Sequence, residues 1–428
     1  MTRIILLLVT GISLQAQPRS DYPFRDVDAS ASPRMSQLRR DIESGNPSAT
    51  QEFWTEVQRT GTPLVEPIPG NKTHSFVTFV WKGSPGTRNV AVINGINGAE
   101  PAKNEMAQLA TSDVWYRTYD IRNDARFTYA FSPNDSLRPL LDPARVPVAF
   151  RKDPFNPKSF PGGGIYQSWV ELNDAPSEDW LVSKPSSGTP DLEQRKITSV
   201  ILGGNRSLWI YKPPAFTTKS EPYPLLIMFD GDAYTSLVPA PTVLENLIAS
   251  KRIPPLVAVF VGNTNRVTDL ECSPNFSDFV ATELIPWIRA EFHATNDAAA
   301  TIVAGSSLGG LAASYAAFAH PDVIGNVLSL SGSYWWAPAD DPEPEWLTRQ
   351  FARGPKSALS FFVTVGSMEE RASQLVTNRH FRDVLVAKGY PTDSREFNGV
   401  HDYLNWRDSF VQGLLALEGR PLIAPEKR

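Results

Sequence analysis

A short, mostly apolar strand that runs straight into Gly305, Ser306, Ser307, Leu308, Gly309 and Gly310 leaves the chain few ways to fold. Thr301–Ala304 reads as that strand. Leu308–Ala319, built largely of small residues, reads as a helix behind it. A strand that reverses into a helix within a few residues needs tight backbone geometry, and very small neighbours avoid the clash. The pattern is G-x-S-x-G with Ser307 at its centre. In a strand–turn–helix setting this pattern exposes a serine hydroxyl as a nucleophile. The helix N-terminus then faces the site, and the Leu308 amide is a candidate to hold an oxyanion. Ser306 lacks the central position. A tight turn with no chemistry is the bland alternative.

The surroundings of that turn predict its fold class. Further strands are expected at Thr198–Leu202, Ser207–Tyr211, Pro224–Phe229, Leu256–Val261, Val327–Ser331 and Leu359–Val365, with a last one at Asp393–Phe397. Helical patterns lie between them, at Pro241–Ser250, Phe276–Glu291 and Ser373–Ala387, and a final helix spans Tyr403–Leu417. Short apolar strands alternating with helices predict a doubly wound, mostly parallel α/β sheet covered on both faces. With the serine motif this is the α/β-hydrolase arrangement, assigned to residues 167–420.

A serine needs a base, and the usual base is a histidine held by an acid. The chain has five histidines. In α/β-hydrolases the chain order is serine, acid, histidine. Only His401, on the loop between the last strand and the last helix, fits that order. Glu369 and Glu370 both follow the strand before it, and Glu369 is favoured as the acid. Asp402 is a minor rival. The second oxyanion donor is expected after an early central strand, where Asp230, Gly231 and Asp232 form a turn. Gly231 is placed at the substrate, and Asp232 is the candidate donor.

The first part of the chain reads differently. His74–Trp81, Asn89–Asn94, Val114–Tyr119 and Arg126–Phe131 are short β-rich runs separated by turn residues. They predict a small immunoglobulin-like β-sandwich over residues 51–150. Residues 17–50 read as a loose lead-in with a helix near Ser36–Ser44, and a second helix is expected near Thr50–Arg59. Residues 151–166, rich in proline and glycine, read as a linker unable to hold regular structure for long.

The N-terminus places Arg3 before an apolar run, Ile4 to Leu14, and Ala16 beside a cleavage point. That is the layout of a signal peptide over residues 1–16, and it predicts a periplasmic or secreted protein. The run is too short to span a bilayer comfortably, and no membrane span is expected after cleavage. A net charge of -5 argues against a nucleic-acid partner. The single cysteine, Cys272, rules out an intramolecular disulfide and reads as a buried small residue. No His/Asp/Glu cluster has metal-ligand spacing, so no metal or other cofactor is expected.

The chain also resembles the enterochelin esterase family. In the first domain the similar segments are Phe53 and Trp54, Gly61–Glu66, Val77–Trp81, Asp113–Tyr116 and Asp153–Pro157. In the second they are Met228–Asp232, Arg266 with Asp269 and Leu270, Gly305–Gly310, Ser331–Trp336, Val365–Glu369 and Gly399–Asp402. The resemblance implies cofactor-free hydrolysis of an ester or lactone. The partner would be a small ester, with a ferric catecholate siderophore as the family's substrate class. Arg266 would then meet an anionic substrate edge, and Trp335 and Trp336 would form an aromatic wall. Bland readings are an ion pair for Arg266 and core packing for a tryptophan. Export departs from iron release inside the cell. It leaves open a secreted feruloyl or acetyl esterase of the same fold, an acyltransferase using the same triad, or a binding protein that keeps the fold without catalysis.

Overall fold

A computed structural model of the chain describes residues 22–93, 96, 100–140, 142–162, 165–182 and 190–419. The signal peptide expected over residues 1–16 lies outside them.

The N-terminal part is all antiparallel. Its strands are β1 (Phe24–Asp26), β2 (Leu64–Ile68), β3 (Asn71–Lys82), β4 (Val90–Ile93), β5 (Ala107–Gln108), β6 (Val114–Arg122), β7 (Arg126–Pro133), β8 (Ser159–Gly162) and β9 (Ile165–Glu171). One sheet runs β1-β6-β3-β2, with β5 also on β6; the other runs β4-β7-β9-β8. Alternate residues meet between them, as a two-residue period requires. Val77 and Phe79, Val90 and Val92, and Phe127, Tyr129 and Phe131 share one core.

Two sequence expectations change here. The segment before residue 51 is not a loose lead-in. The strand β1 pairs with β6, and the helices Pro33–Glu43 and Ala49–Thr60 bury Met35, Leu38, Phe53 and Trp54 against Val80, Val114 and Tyr116. The first sheet is thus covered on both faces, which is why β3 and β6 alternate only partly. The proline/glycine-rich run is not free of regular structure either. Arg151 bridges to Phe131, and β8 pairs with β9. The strand β8 lies at a sheet edge, where Pro161 removes no needed ladder donor.

The C-terminal part is built on eight strands. They are β10 (Asp191–Ser199), β11 (Gly204–Lys212), β12 (Leu225–Met228), β13 (Val257–Val261), β14 (Thr301–Ser306), β15 (Asn326–Leu330), β16 (Ser360–Gly366) and β17 (Thr392–Phe397). Their order is β10-β11-β13-β12-β14-β15-β16-β17. The pairs from β13 onward are parallel, and β10 and β11 are antiparallel to their neighbours. Leu225 and Ile227 face one apolar layer, Leu226 and Met228 the other. Helices cover both faces, so the central strands have no polar side to show. Among the described residues no helix is long and apolar enough to cross a membrane.

The two parts share a core. Met368, on the loop after β16, and Val400, on the loop after β17, are buried in the apolar interior of the N-terminal sandwich.

Candidate active site

Ser307 follows β14 directly and adopts φ 57° and ψ −124°. Non-glycine residues rarely enter this region, and such strain persists only where surrounding structure imposes it. Four hydrogen bonds do so. The Ser307 N–H donates to Leu330 O at 2.9 Å, and the Ser307 carbonyl accepts from Gly310, Leu311 and Ser333 amides at 3.0–3.1 Å. A Cβ on Gly305 would run into the Gly309 carbonyl. The helix Leu308–Ala319 therefore starts immediately after the serine. Helix geometry leaves the Leu308 amide without a partner inside the helix, on its positive end.

His401 and Glu369 come together. His401 Nδ1 lies 2.6 Å from Glu369 Oε2. The carboxylate is fully buried, while the imidazole is 37% exposed. The other carboxylate oxygen accepts from Ser331 Oγ at 2.5 Å and from the Gly366 N–H at 2.7 Å. Glu370 goes elsewhere. It caps the following helical turn by accepting from the Ala372 and Ser373 amides at 3.1 and 2.5 Å. Asp402 also turns away, accepting from Thr128 and Asn405. Among the described residues no hydrogen bond joins Ser307 to His401. The Ser307 hydroxyl instead lies 3.3 Å from Ser333 Oγ.

The remaining histidines lie away from this group. His74 bonds the Tyr22 carbonyl, His293 the Ser220 carbonyl, His320 Asp278 and His380 Glu345. Ser306 ends β14, fully buried. Cys272 is buried, and burial pushes its thiol well above the ordinary range. No group of three or more His, Cys, Asp or Glu side chains is placed to hold a metal among the described residues.

The turn after β12 brings Gly231 and Asp232 beside the elbow, because β12 and β14 are adjacent and parallel. Asp230 has a left-handed backbone and starts the short helix Gly231–Ser236. Gly231 approaches β13 so closely that a Cβ would lie 2.6 Å from the Phe260 carbonyl carbon. The Asp232 amide, in the first turn of that helix, has no intrahelical partner.

Arg266 is not simply free for an anion. Its Nε and Nη2 donate to the two oxygens of buried Asp230 at 2.7 and 2.8 Å, and Nη2 lies 3.4 Å from the Ser306 carbonyl. Asn263 adds a further donor to Asp230 at 2.6 Å. The guanidinium thus ties the turn after β12 to the elbow. The two tryptophans part. Trp335 is exposed and donates to Gln374 Oε1 at 3.1 Å. Trp336 packs edge-on against Trp346, toward the core.

Two residues of this site have no role in the sequence reading. Ser331 links Glu369 to Trp406, whose indole N–H donates to Ser331 Oγ at 3.0 Å. The Trp406 ring also meets His401 edge-on at 4.8 Å. The available signal was position. Ser331 directly follows the buried parallel strand β15, at the strand end where the sites of such sheets gather.

Known proteins resemble the chain in sequence and in fold. Residues 76–181 fit the family described as enterochelin esterase, N-terminal, and residues 199–417 fit the family described as putative esterase. An iron(III) enterobactin esterase of Escherichia coli O6:H1 is 29% identical over 378 residues, covering 80% of this chain and 90% of its own. An iron(III) salmochelin esterase of the same organism is 26% identical over 409 residues, covering 90% and 98%. The crystal structure of a ferric enterobactin esterase from Salmonella typhimurium superposes with a TM-score of 0.70 at 29% identity, over 86% of this chain and 98% of the other. The chain therefore belongs to the enterochelin esterase family, a group of carboxylic ester hydrolases with an N-terminal enterochelin esterase domain ahead of an α/β-hydrolase esterase domain.

Proposed function

We propose that the chain is a serine esterase that opens the lactone or ester bonds of a ferric catecholate siderophore, with Ser307 as nucleophile, His401 as base and Glu369 as acid. The observation that carries this reading is the Glu369–His401 contact of 2.6 Å, on the loops after β16 and β17, together with a serine in strained geometry directly after β14. The names of the enterobactin and salmochelin esterases support the substrate class.

In this reading the buried Glu369 keeps the proton on His401 Nδ1 and leaves Nε2 as the acceptor. The Ser307 hydroxyl rotates away from Ser333 when substrate enters, and catalytic hydrogen bonds often tighten only then. His401 takes its proton as Oγ adds to the ester carbonyl. The amides of Leu308 and Asp232 receive the oxyanion. His401 then protonates the departing alkoxide, and the acyl-enzyme remains. Water, deprotonated by the same imidazole, releases the acid and restores Ser307. Trp335 offers an exposed face for a catechol ring. Arg266 holds Asp230, and through it the oxyanion turn.

Export belongs to the same proposal. The signal-type sequence of residues 1–16 supports a periplasmic or secreted enzyme. N-terminal sequencing of the exported protein tests this, and a mature form that keeps Met1 rejects it.

The decisive experiment is a rate panel with a catecholate trilactone, methyl ferulate and acetylated sugars, with Ser307→Ala as control. Trilactone turnover that vanishes in Ser307→Ala is the expected result. Turnover of methyl ferulate alone moves the enzyme to polysaccharide esters. A folded wild-type protein that turns over nothing and is not labelled by a fluorophosphonate is a binding protein.

A further inference from the structure

The loops that carry the acid and the base are anchored in the other domain. Met368 immediately precedes Glu369, and Val400 immediately precedes His401. Both are buried in the sandwich core, at 1% and 2% exposure, among residues such as Phe127 and Tyr129. Between those two aromatics on β7 lies Thr128. Successive strand residues point to opposite faces, so Thr128 turns away from the sandwich core toward the hydrolase domain.

Thr128 makes two bonds there. Its N–H and its hydroxyl both donate to Asp402 Oδ2, at 3.1 and 2.8 Å. Asp402 Oδ1 accepts from the Asn405 backbone and side chain, each at 2.8 Å, and so caps the last helix. His401 is thus flanked by two residues that the sandwich holds, Val400 by packing and Asp402 by hydrogen bonds. The acid loop is tied to the same frame. Asn398 Oδ1 accepts from Ser367 Oγ at 3.1 Å, while Asn398 Nδ2 donates to Asp124 Oδ1 at 2.8 Å. The Asn398 carbonyl accepts from the Arg126 N–H at 3.3 Å.

An α/β-hydrolase sheet can present its acid and base from its own loops. Here both loops are pinned from outside the sheet. We infer that the N-terminal sandwich sets the position of the catalytic acid and base, and that Thr128 is a positioning residue acting on His401 through Asp402. This rests on the roles proposed above for His401 and Glu369. Reacting groups tolerate little displacement, and a shift of about 1 Å costs on the order of a hundredfold in rate. Thr128 touches no substrate in this scheme. Its effect belongs in turnover rather than in binding.

The test uses the full chain with Thr128→Val, which keeps the branched shape and removes the hydroxyl donor, and Thr128→Ser, which restores it. Thr78→Val is the control. Thr78 is buried in the same sandwich and bonds Thr118 at 2.9 Å, away from either loop. Two readouts are taken, kcat and KM on the best ester, and the downfield proton resonance of the His401–Glu369 hydrogen bond. Thr128→Val is expected to lower kcat about tenfold with KM within about twofold, and to weaken the proton resonance. Thr128→Ser is expected to recover both, and Thr78→Val to change neither. Thr128→Val with wild-type kcat and an intact resonance overturns the inference, as does an equal loss in Thr78→Val. Should Thr128→Val not fold, Asp402→Ala removes the acceptor of both Thr128 donors from the other side and is judged by the same two readouts. A wild-type protein that cleaves no ester, while its resonance still depends on Thr128, overturns the esterase reading and leaves the positioning role standing.

Discussion

Glu369 and Glu370 are neighbours in the chain, yet only Glu369 reaches His401, at 2.6 Å, while Glu370 caps a helical turn. The difference separates two mutants. Glu369→Gln puts an amide where the carboxylate should hold the imidazole tautomer and stabilise its charged form. The expected loss in kcat is about a thousandfold or more. Glu370→Gln weakens a cap, costs about 1 kcal/mol of stability and leaves kcat within about twofold. Steady-state rates and thermal melts of the two variants check this. Equal losses of kcat would return the acid to an open question.

Ser331 is expected to matter without touching substrate. Its hydroxyl donates to Glu369 and accepts from the Trp406 indole. Ser331→Ala removes one of three donors to a buried carboxylate and orphans the indole N–H. A hydrogen bond to a charged group is worth about 1.5–3 kcal/mol, so kcat should fall about tenfold or more and Tm should drop with it. KM should hold. A variant with wild-type kcat would show that the Gly366 amide alone fixes the carboxylate.

Arg266 distinguishes a brace from a binding residue. Its two donors to Asp230 tie the turn after β12 to the elbow. Arg266→Lys keeps the charge and loses the planar fork. If the brace is what counts, kcat falls and KM for charged and neutral esters stays close to wild type. If the guanidinium meets an anionic substrate, KM rises for charged esters only, and salt weakens their binding further. Rates on a charged and an uncharged ester of the same alcohol make the comparison.

Much of the fold was legible because burial on both faces of a sheet leaves a plain record. The strands β12 and β13 read as unbroken apolar runs, β14 has an apolar centre at Ile302–Ala304, and all three lie where the pattern put them. The edges did not read so well. The strand β10 spans Asp191–Ser199 with a largely exposed, charged surface, and the sequence pattern placed it late, at Thr198–Leu202. Pro161 and the neighbouring glycines hid β8, since an edge strand tolerates what a central strand would not. At the site, chain order singled out His401 among five histidines, and His401 is the one that the structure sets against Glu369. It favoured Glu369 over Glu370 but held no geometric reason for it, because the choice depends on how one loop turns after β16. Nor could it find Thr128, which meets Asp402 across 274 residues, or show that Arg266 has Asp230 as its partner. Contacts of that kind arise from strand order and domain docking and leave no local pattern.

The last prediction concerns pH and stability, away from the chemistry. Glu245 lies on the helix Ala240–Ala249 at 3% exposure, and its carboxylate accepts from the Tyr211 hydroxyl at 3.0 Å. Burial raises its carboxyl above the ordinary range, and the Tyr211 bond only partly opposes this. The folded protein therefore keeps a proton that the unfolded chain has already released. The stability this contributes is complete below the ordinary glutamate range and is lost as pH rises through the raised value. Glu245→Gln keeps an acceptor for Tyr211 and removes the charge. It should leave Tm unchanged near pH 4 and raise it by about 2 °C near pH 8. Melts of both proteins across that range decide the matter: parallel curves at every pH would mean that Glu245 is ionised in the fold at no cost.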